Sequence, residues 1–301
     1  MSGQRWARRD FLRWSSTVVM VGAGLTACSR VHLEDEPNGG TLLDRLRDAG
    51  EVRIGFANEA PYSYIDGKAE ITGEAAELAK VIFKRLGVPE VTPIPSEFGS
   101  LIPGLKVGLF DVIGAGMFVT PVRCAEVLFT NPDYEAKTAF LVPKGNPQAL
   151  HTYADVIAKS DVRLGTMIGA AEQIDAIDSG VDESRMTSYP DALSGLEAVQ
   201  AGRVDAFALT RISLNDVLGK NPGVPLELTD AFVPEIDGTP RRTGGAFAFL
   251  KDQRNIVDAF NGELTKLKDS GELLEIVRPF GFSEAEMTDL TAAELCRAPA
   301  A

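Results

Sequence analysis

Cysteine and histidine are scarce, with three and two copies in a chain of 301 residues. No Cys or His spacing resembles a zinc cluster, so no resident metal or other cofactor is expected. Basic side chains are outnumbered, 30 against 43 acidic, for a formal charge of −13. Four of the basic and one of the acidic residues lie in the first 27 positions, which leaves 26 against 42 and a charge of −16 beyond them. Such a surface argues against nucleic acid and against binding anionic lipid by charge. There is no internal repeat, heptad pattern or low-complexity tract, and no apolar run long enough for a stable membrane span. What remains is ordinary globular composition, 45% hydrophobic and 24% charged, in a chain long enough for two lobes of moderate size.

The amino terminus reads as an address. Arg8-Arg9-Asp10-Phe11-Leu12-Arg13 is a twin-arginine export signature. An apolar, small-residue-rich run follows and closes on Leu25-Thr26-Ala27-Cys28, which resembles a bacterial lipobox. Residues 1–27 are therefore expected to be a signal peptide and Cys28 the lipidated first residue of the mature chain, on the outer face of the cytoplasmic membrane or in the periplasm. The polar stretch 28–40, with one Pro and two Gly, reads as a tether. Two cysteines are left over, Cys124 and Cys296. In an exported protein they suggest one disulfide, the alternative being two separate thiols.

Beyond the tether the pattern alternates. Strands are expected at 52–56 and 91–95, with a helix of clear 3.6-residue period at 73–86 (Ala76, Leu78, Ala79, Ile82, Phe83, Leu86) and another at 101–107. A third strand at 111–113 should end in a small-residue turn, Gly114-Ala115-Gly116. The same alternation restarts after residue 143: strands at 162–164, 186–189, 204–209 and 226–228, helices at 171–179, 191–201 and 213–220. A final strand at 246–250 precedes a long amphipathic helix at about 255–270. This predicts an α/β protein of two lobes, 41–140 plus 245–301 and 141–244, joined by two crossings that form a hinge. Gly114-Ala115-Gly116 also imitates a dinucleotide fingerprint, but no acidic residue follows a second strand at the right distance.

The stretch 111–134 carries the most chemistry. Thr120-Pro121 is a helix start, Thr as N-cap and Pro in the first turn. Arg123 then lies near the amino end of that helix, where free N–H groups and the dipole favour an anion. In open α/β sheets ligands bind beyond the carboxyl ends of the strands. The loops there hold Glu59 and Tyr62, then Phe98, then Phe118. Each alone has a plain structural reading: a solvated charge or a core ring. Their recurrence at three consecutive strand ends predicts an aromatic box for a delocalised cation, with Glu59 to pair it and Arg123 to hold a carboxylate. The implied ligand is small and carries both signs.

Several runs carry a family resemblance: Gly55-Phe56-Ala57-Asn58-Glu59-Ala60-Pro61-Tyr62, Glu97-Phe98-Gly99-Ser100-Leu101-Ile102-Pro103-Gly104-Leu105, and Gly116-Met117-Phe118-Val119-Thr120-Pro121-Val122-Arg123-Cys124. They resemble the solute-binding proteins of ABC importers for amino acids and related zwitterions, in particular the ectoine/hydroxyectoine branch. General amino-acid binders usually carry a GFDVDL run where this chain reads Gly73-Glu74-Ala75-Ala76-Glu77-Leu78. The resemblance implies a two-lobed periplasmic-binding-protein type II fold and a monomer that delivers ectoine or hydroxyectoine to permease subunits without chemistry. It places the box on Tyr62, Phe98 and Phe118, the amidinium partner on Glu59 and the carboxylate partner on Arg123. The second lobe is less legible, and Gly169-Ala170-Ala171, Asp205 and Thr210 stay open between ligand contact and backbone satisfaction. Phe282 is read as an exposed ring. Two rivals stand: a binder of another zwitterion such as a polar or basic amino acid, and a cyclohexadienyl-dehydratase-like enzyme with Glu59 as its acid.

Overall fold

The computed structural model describes residues 40–297. The signal, lipidation and tether readings on residues 1–39, Cys28 included, lie outside them. Chain order begins with helix α1 (Leu42–Ala49), strand β1 (Glu51–Phe56), a small ribbon β2 (Tyr64–Ile65) and β3 (Ile71–Thr72), α2 (Glu74–Arg85) and β4 (Glu90–Pro95). A 3-10 turn (Phe98–Ser100) leads to α3 (Leu101–Lys106), β5 (Val112–Phe118), α4 (Pro121–Glu126), β6 (Leu128–Phe129) and β7 (Tyr134–Glu135). The second run is β8 (Thr138–Pro143), α5 (Tyr153–Ala158), β9 (Leu164–Met167), α6 (Ala171–Asp178), β10 (Met186–Tyr189), α7 (Ala192–Gln200), β11 (Ala206–Thr210), α8 (Arg211–Lys220) and β12 (Leu226–Leu228). A ribbon, β13 (Glu235–Ile236) with β14 (Thr239–Pro240), precedes β15 (Gly244–Phe249), α9 (Arg254–Ser270), α10 (Glu272–Val277) and α11 (Ala292–Leu295).

Two mixed sheets result. The first runs β4-β1-β5-β15-β6 with β7 on β15, and the second runs β10-β9-β11-β8-β12. In each, three neighbouring strands are parallel, β4-β1-β5 in the first and β10-β9-β11 in the second, with helices supplying the crossovers. Helix α2 turns Ala75, Ala76, Leu78, Ala79, Ile82 and Phe83 onto the first sheet. Helix α9 returns to the same core through Ile256, Val257, Phe260, Leu264 and Leu267. Phe260 meets Phe247 at 4.7 Å and Phe83 at 5.8 Å between ring centroids. Truncating such a ring costs about 3–5 kcal/mol.

The expected turn at Gly114-Ala115-Gly116 is not one, since β5 continues through it to Phe118. The small residues serve packing. A Cβ on Gly114 would lie 2.3 Å from Ile54 Cδ1, and one on Gly116 would lie 2.4 Å from the Tyr62 ring. The first sheet change also comes earlier than residue 140. Strand β8 pairs with β11 and β12 from Thr138 onward, so the crossing is Ala136-Lys137. The return crossing passes through Thr243, whose carbonyl accepts from the Ala136 N–H at 3.4 Å. The two connections thus lie side by side.

Cys124 on α4 and Cys296 after α11 are joined by a disulfide that spans 172 residues of sequence. Among the described residues no helix is long and apolar enough to cross a membrane.

Candidate ligand-binding site

The first turn of α2 builds the loop after β1. Its unpaired N–H groups are taken up by carbonyls of that loop: Glu74 N–H donates to Pro61 and Ala75 N–H to Tyr62, both at 2.8 Å. This fixes Tyr62, whose ring stacks on Tyr134 at 5.4 Å and meets the edge of Phe282 at 6.2 Å. Phe282 is 2% exposed and so corrects the expectation of a surface ring. It forms the floor beneath the two tyrosines. Phe98 sits in the 3-10 turn after β4 and Phe118 at the end of β5, both buried.

Thr120 caps α4 as the sequence predicts, accepting from Arg123 N–H at 3.3 Å. Arg123 is 6% exposed. Its guanidinium donates to the Phe118 carbonyl at 2.6 Å and, across the cleft, to the Gly169 carbonyl at 2.8 Å. Its carbon lies 5.5 Å from the centre of the Phe98 ring. Burial lowers its pKa to about 10, so it remains a cation at neutral pH. The lobes touch here: Gly169 has φ +74, and a Cβ on it would lie 2.9 Å from Gly99 Cα.

A second link crosses the cleft as a directed chain of donors. Thr210 donates to Ser213 Oγ at 3.0 Å and Ser213 to Glu59 Oε1 at 2.7 Å. With its proton so used, Thr210 Oγ1 accepts from the Tyr62 hydroxyl at 2.9 Å. Glu59 is the terminal acceptor. Burial raises its carboxyl to about 7 against the opposing pull of Ser213, and burial likewise raises the Tyr62 hydroxyl.

All five residues singled out in the sequence, Glu59, Tyr62, Phe98, Phe118 and Arg123, line one cavity of about 20 Å³ together with Met167, Glu172, Leu209 and Thr210. Glu59, Phe98 and Met167 also line a larger recess of about 590 Å³ at its mouth. The cavity therefore has rings on its walls, a guanidinium on one side and carboxyls from both lobes. Thr210 had been left open and Glu172 was missed. The only sequence signal for Glu172 was its place one residue beyond the small-residue start Gly169-Ala170-Ala171. Asp205 is elsewhere, paired with Arg163 at 3.1 Å.

Comparison with known proteins accords with this geometry. Residues 52–283 match the bacterial extracellular solute-binding proteins, family 3. The chain belongs to that family. Among curated relatives, a probable amino-acid ABC transporter periplasmic-binding protein, y4tE, of Sinorhizobium fredii is 32% identical over 281 residues, 91% of this chain and 92% of that protein. Among solved structures, EhuB in complex with hydroxyectoine is 37% identical with a TM-score of 0.78, over 86% of this chain and 98% of that one. AncCDT-1, an ancestral amino acid-binding protein described as a precursor of cyclohexadienyl dehydratase, shares the fold at 24% identity and a TM-score of 0.68, over 79% of this chain and 98% of that one.

Proposed function

We propose that this solute-binding protein captures ectoine or hydroxyectoine and hands it to the permease of an ABC transporter. The observation that carries the reading is the convergence of Glu59, Tyr62, Phe98, Phe118 and Arg123 on one cavity. An amidinium seats between ring faces and against Glu59, and the ligand carboxylate seats against Arg123. The likeness to the hydroxyectoine-bound EhuB supports the choice of ligand. A micromolar site needs about 8 kcal/mol net. Ring faces at about 0.5–2 kcal/mol each and charge-assisted hydrogen bonds at about 1.5–3 kcal/mol each reach that when water is shut out.

Ligand entry requires the lobes to part, because the cavity between them is about 20 Å³. The paired crossings at Ala136 and Thr243 are the hinge, and ligand contacts from both sides favour the closed form that a permease recognises. In this reading the chain is a monomer, held at the membrane by a lipid on Cys28.

Calorimetry and thermal melts against ectoine, hydroxyectoine, arginine, histidine and glutamine test the reading. Ectoine or hydroxyectoine should give the tightest binding and the largest rise in melting temperature. Preference for an amino acid would overturn the ligand and leave the family. Turnover of prephenate or arogenate would overturn the binding role.

A further inference from the structure

Helix α8 meets the loop after β1 at both of its ends. At its start, Thr210 and Ser213 make the donor chain to Tyr62 and Glu59 already described. Lys220, its last residue, stands seven positions beyond Ser213, two turns on along the same face. Its ammonium lies 5.0 Å from the centre of the Tyr64 ring, within cation–π range. Tyr64 belongs to the first lobe and Lys220 to the second, so this is a further contact across the cleft. Every hydrogen bond across the cleft described above has a partner that lines the inner cavity; here neither residue does.

Both partners are held in place. Tyr64 is half-buried on the β2–β3 ribbon, opposite Thr72. The next residue, Ile65, donates its N–H to Asn58 Oδ1 at 2.9 Å, and the one before, Ser63, donates to the Glu59 carbonyl at 3.1 Å. The ribbon is thus tied to the turn that carries Glu59. Asp216, one turn back on α8, pairs with the Lys220 ammonium at 2.8 Å and limits where it can point. Lys220 and Asp216 both line the recess of about 590 Å³ at the mouth. Parting of the lobes carries the ribbon away from α8 and breaks the contact.

We propose that Lys220 and Tyr64 form a latch at the edge of the cleft mouth, made only in the closed form, which lengthens the residence of a bound solute without taking part in its selection. The proposal rests on the capture-by-closure reading above and not on ectoine as the ligand. A contact that one form alone makes shifts the open–closed equilibrium by its own free energy. Because neither residue lines the inner cavity, the shift is the same for every solute. It acts on escape, since the contact breaks before the lobes part, whereas first encounter takes place with the lobes open. The Lys220 side chain is 57% exposed, which puts the latch in the range of exposed cation–π pairs, about two- to fivefold in rate.

A double-mutant cycle on dissociation rates decides it, measured by stopped flow on the full folded chain with ectoine, hydroxyectoine, arginine, histidine and glutamine as titrants. Lys220→Met keeps the stem and removes the charge; Tyr64→Leu removes the ring. Each should speed dissociation by about two- to fivefold, by the same factor for every titrant that binds, with association little changed. The double variant should be no faster than either single one. Tyr64→Phe and Lys220→Arg, which keep a ring and a cation, should stay near the wild-type rate. Single effects that multiply in the double variant overturn the latch, because freeing Asp216 or loosening the ribbon would then account for them separately. Unchanged dissociation overturns it too, as does a factor that differs between titrants, the mark of a ligand contact. If an amino acid binds and neither ectoine does, the ligand reading fails, and the cycle on that amino acid still decides the latch. If none binds, both fall.

Discussion

At the amino ends of their sheets the two lobes are built alike. In the first, the Arg53 N–H and guanidinium both donate to Asp111, at 2.9 and 2.7 Å, and Asp111 N–H returns to the Arg53 carbonyl at 2.9 Å. In the second, the Arg163 N–H and guanidinium both donate to Asp205, at 2.8 and 3.1 Å, and Asp205 N–H returns to the Arg163 carbonyl at 2.9 Å. Each arginine also reaches the carbonyl of a glycine in the left-handed region, Gly108 or Gly202. At the opposite ends of the strands the likeness stops. The first lobe presents Glu59, three rings and Arg123, while the second presents Met167, Glu172, Leu209 and Thr210. The matched end staples β1 to β5 in one sheet and β9 to β11 in the other, and on the proposed reading the divergent end carries recognition. On that reading the first lobe grips, and the second covers it with apolar side chains, a hydroxyl and an acid.

Four experiments would break or sharpen that contrast. The largest effect is expected from Cys124→Ser with Cys296→Ser, because only the first lobe is cross-linked among the described residues. Denaturant titration should show a loss of about 2–4 kcal/mol, with ligand affinity nearly retained because Thr120 still caps the Arg123 helix. Next, Arg123→Ala should weaken ectoine binding by about 10- to 150-fold in calorimetry, the worth of charge-assisted hydrogen bonds. Arg163→Ala, at the stapled end, should leave it unchanged, and equal losses would erase the distinction between the two ends.

A ring should then outweigh a hydroxyl. Phe118→Leu keeps most of the volume and removes the ring face, so affinity should fall by about 2- to 30-fold. Thr210→Val, which cuts the link to Tyr62, should cost about fivefold. The reverse order would move recognition to the second lobe.

The smallest effect concerns acids buried in the first lobe away from the cleft. Glu74 and Asp133 are 0% and 3% exposed, and three of their carboxyl oxygens lack partners. Burial, then the neighbouring Asp133, raises Glu74, and burial raises Asp133. The folded chain thus keeps protons that the unfolded chain releases above the ordinary carboxylate range. Stability from this pair is full at low pH and is lost as pH rises. Glu74→Gln should therefore melt about 2–4 °C higher than wild type at pH 8, the equivalent of about 1 kcal/mol, and no higher at pH 5. An equal gain at both would show that ionisation is not the cause.

Some of this was plain in the chain. The period of α9 and the Thr120-Pro121 cap depend on near neighbours, so propensity and capping rules recover them. Gly114-Ala115-Gly116 was misread because glycine marks either a turn or a close approach. Only the positions of Ile54 and Tyr62 tell which. Phe282 was read as exposed, yet it packs at 5.1 Å against Tyr134 from far along the chain. Glu172 carried no local sign of burial, which it owes to the facing lobe.

By itself, then, the sequence determined the α/β alternation, the strand-end positions of the rings and Arg123, and the family. Those follow from periodicity and from contacts within a few residues. The tertiary structure alone decided that Arg123 bridges two carbonyls, that Tyr62, Thr210, Ser213 and Glu59 form one donor chain, and that Glu172 lines the same cavity. Each depends on groups that only the approach of two separately built sheets brings together.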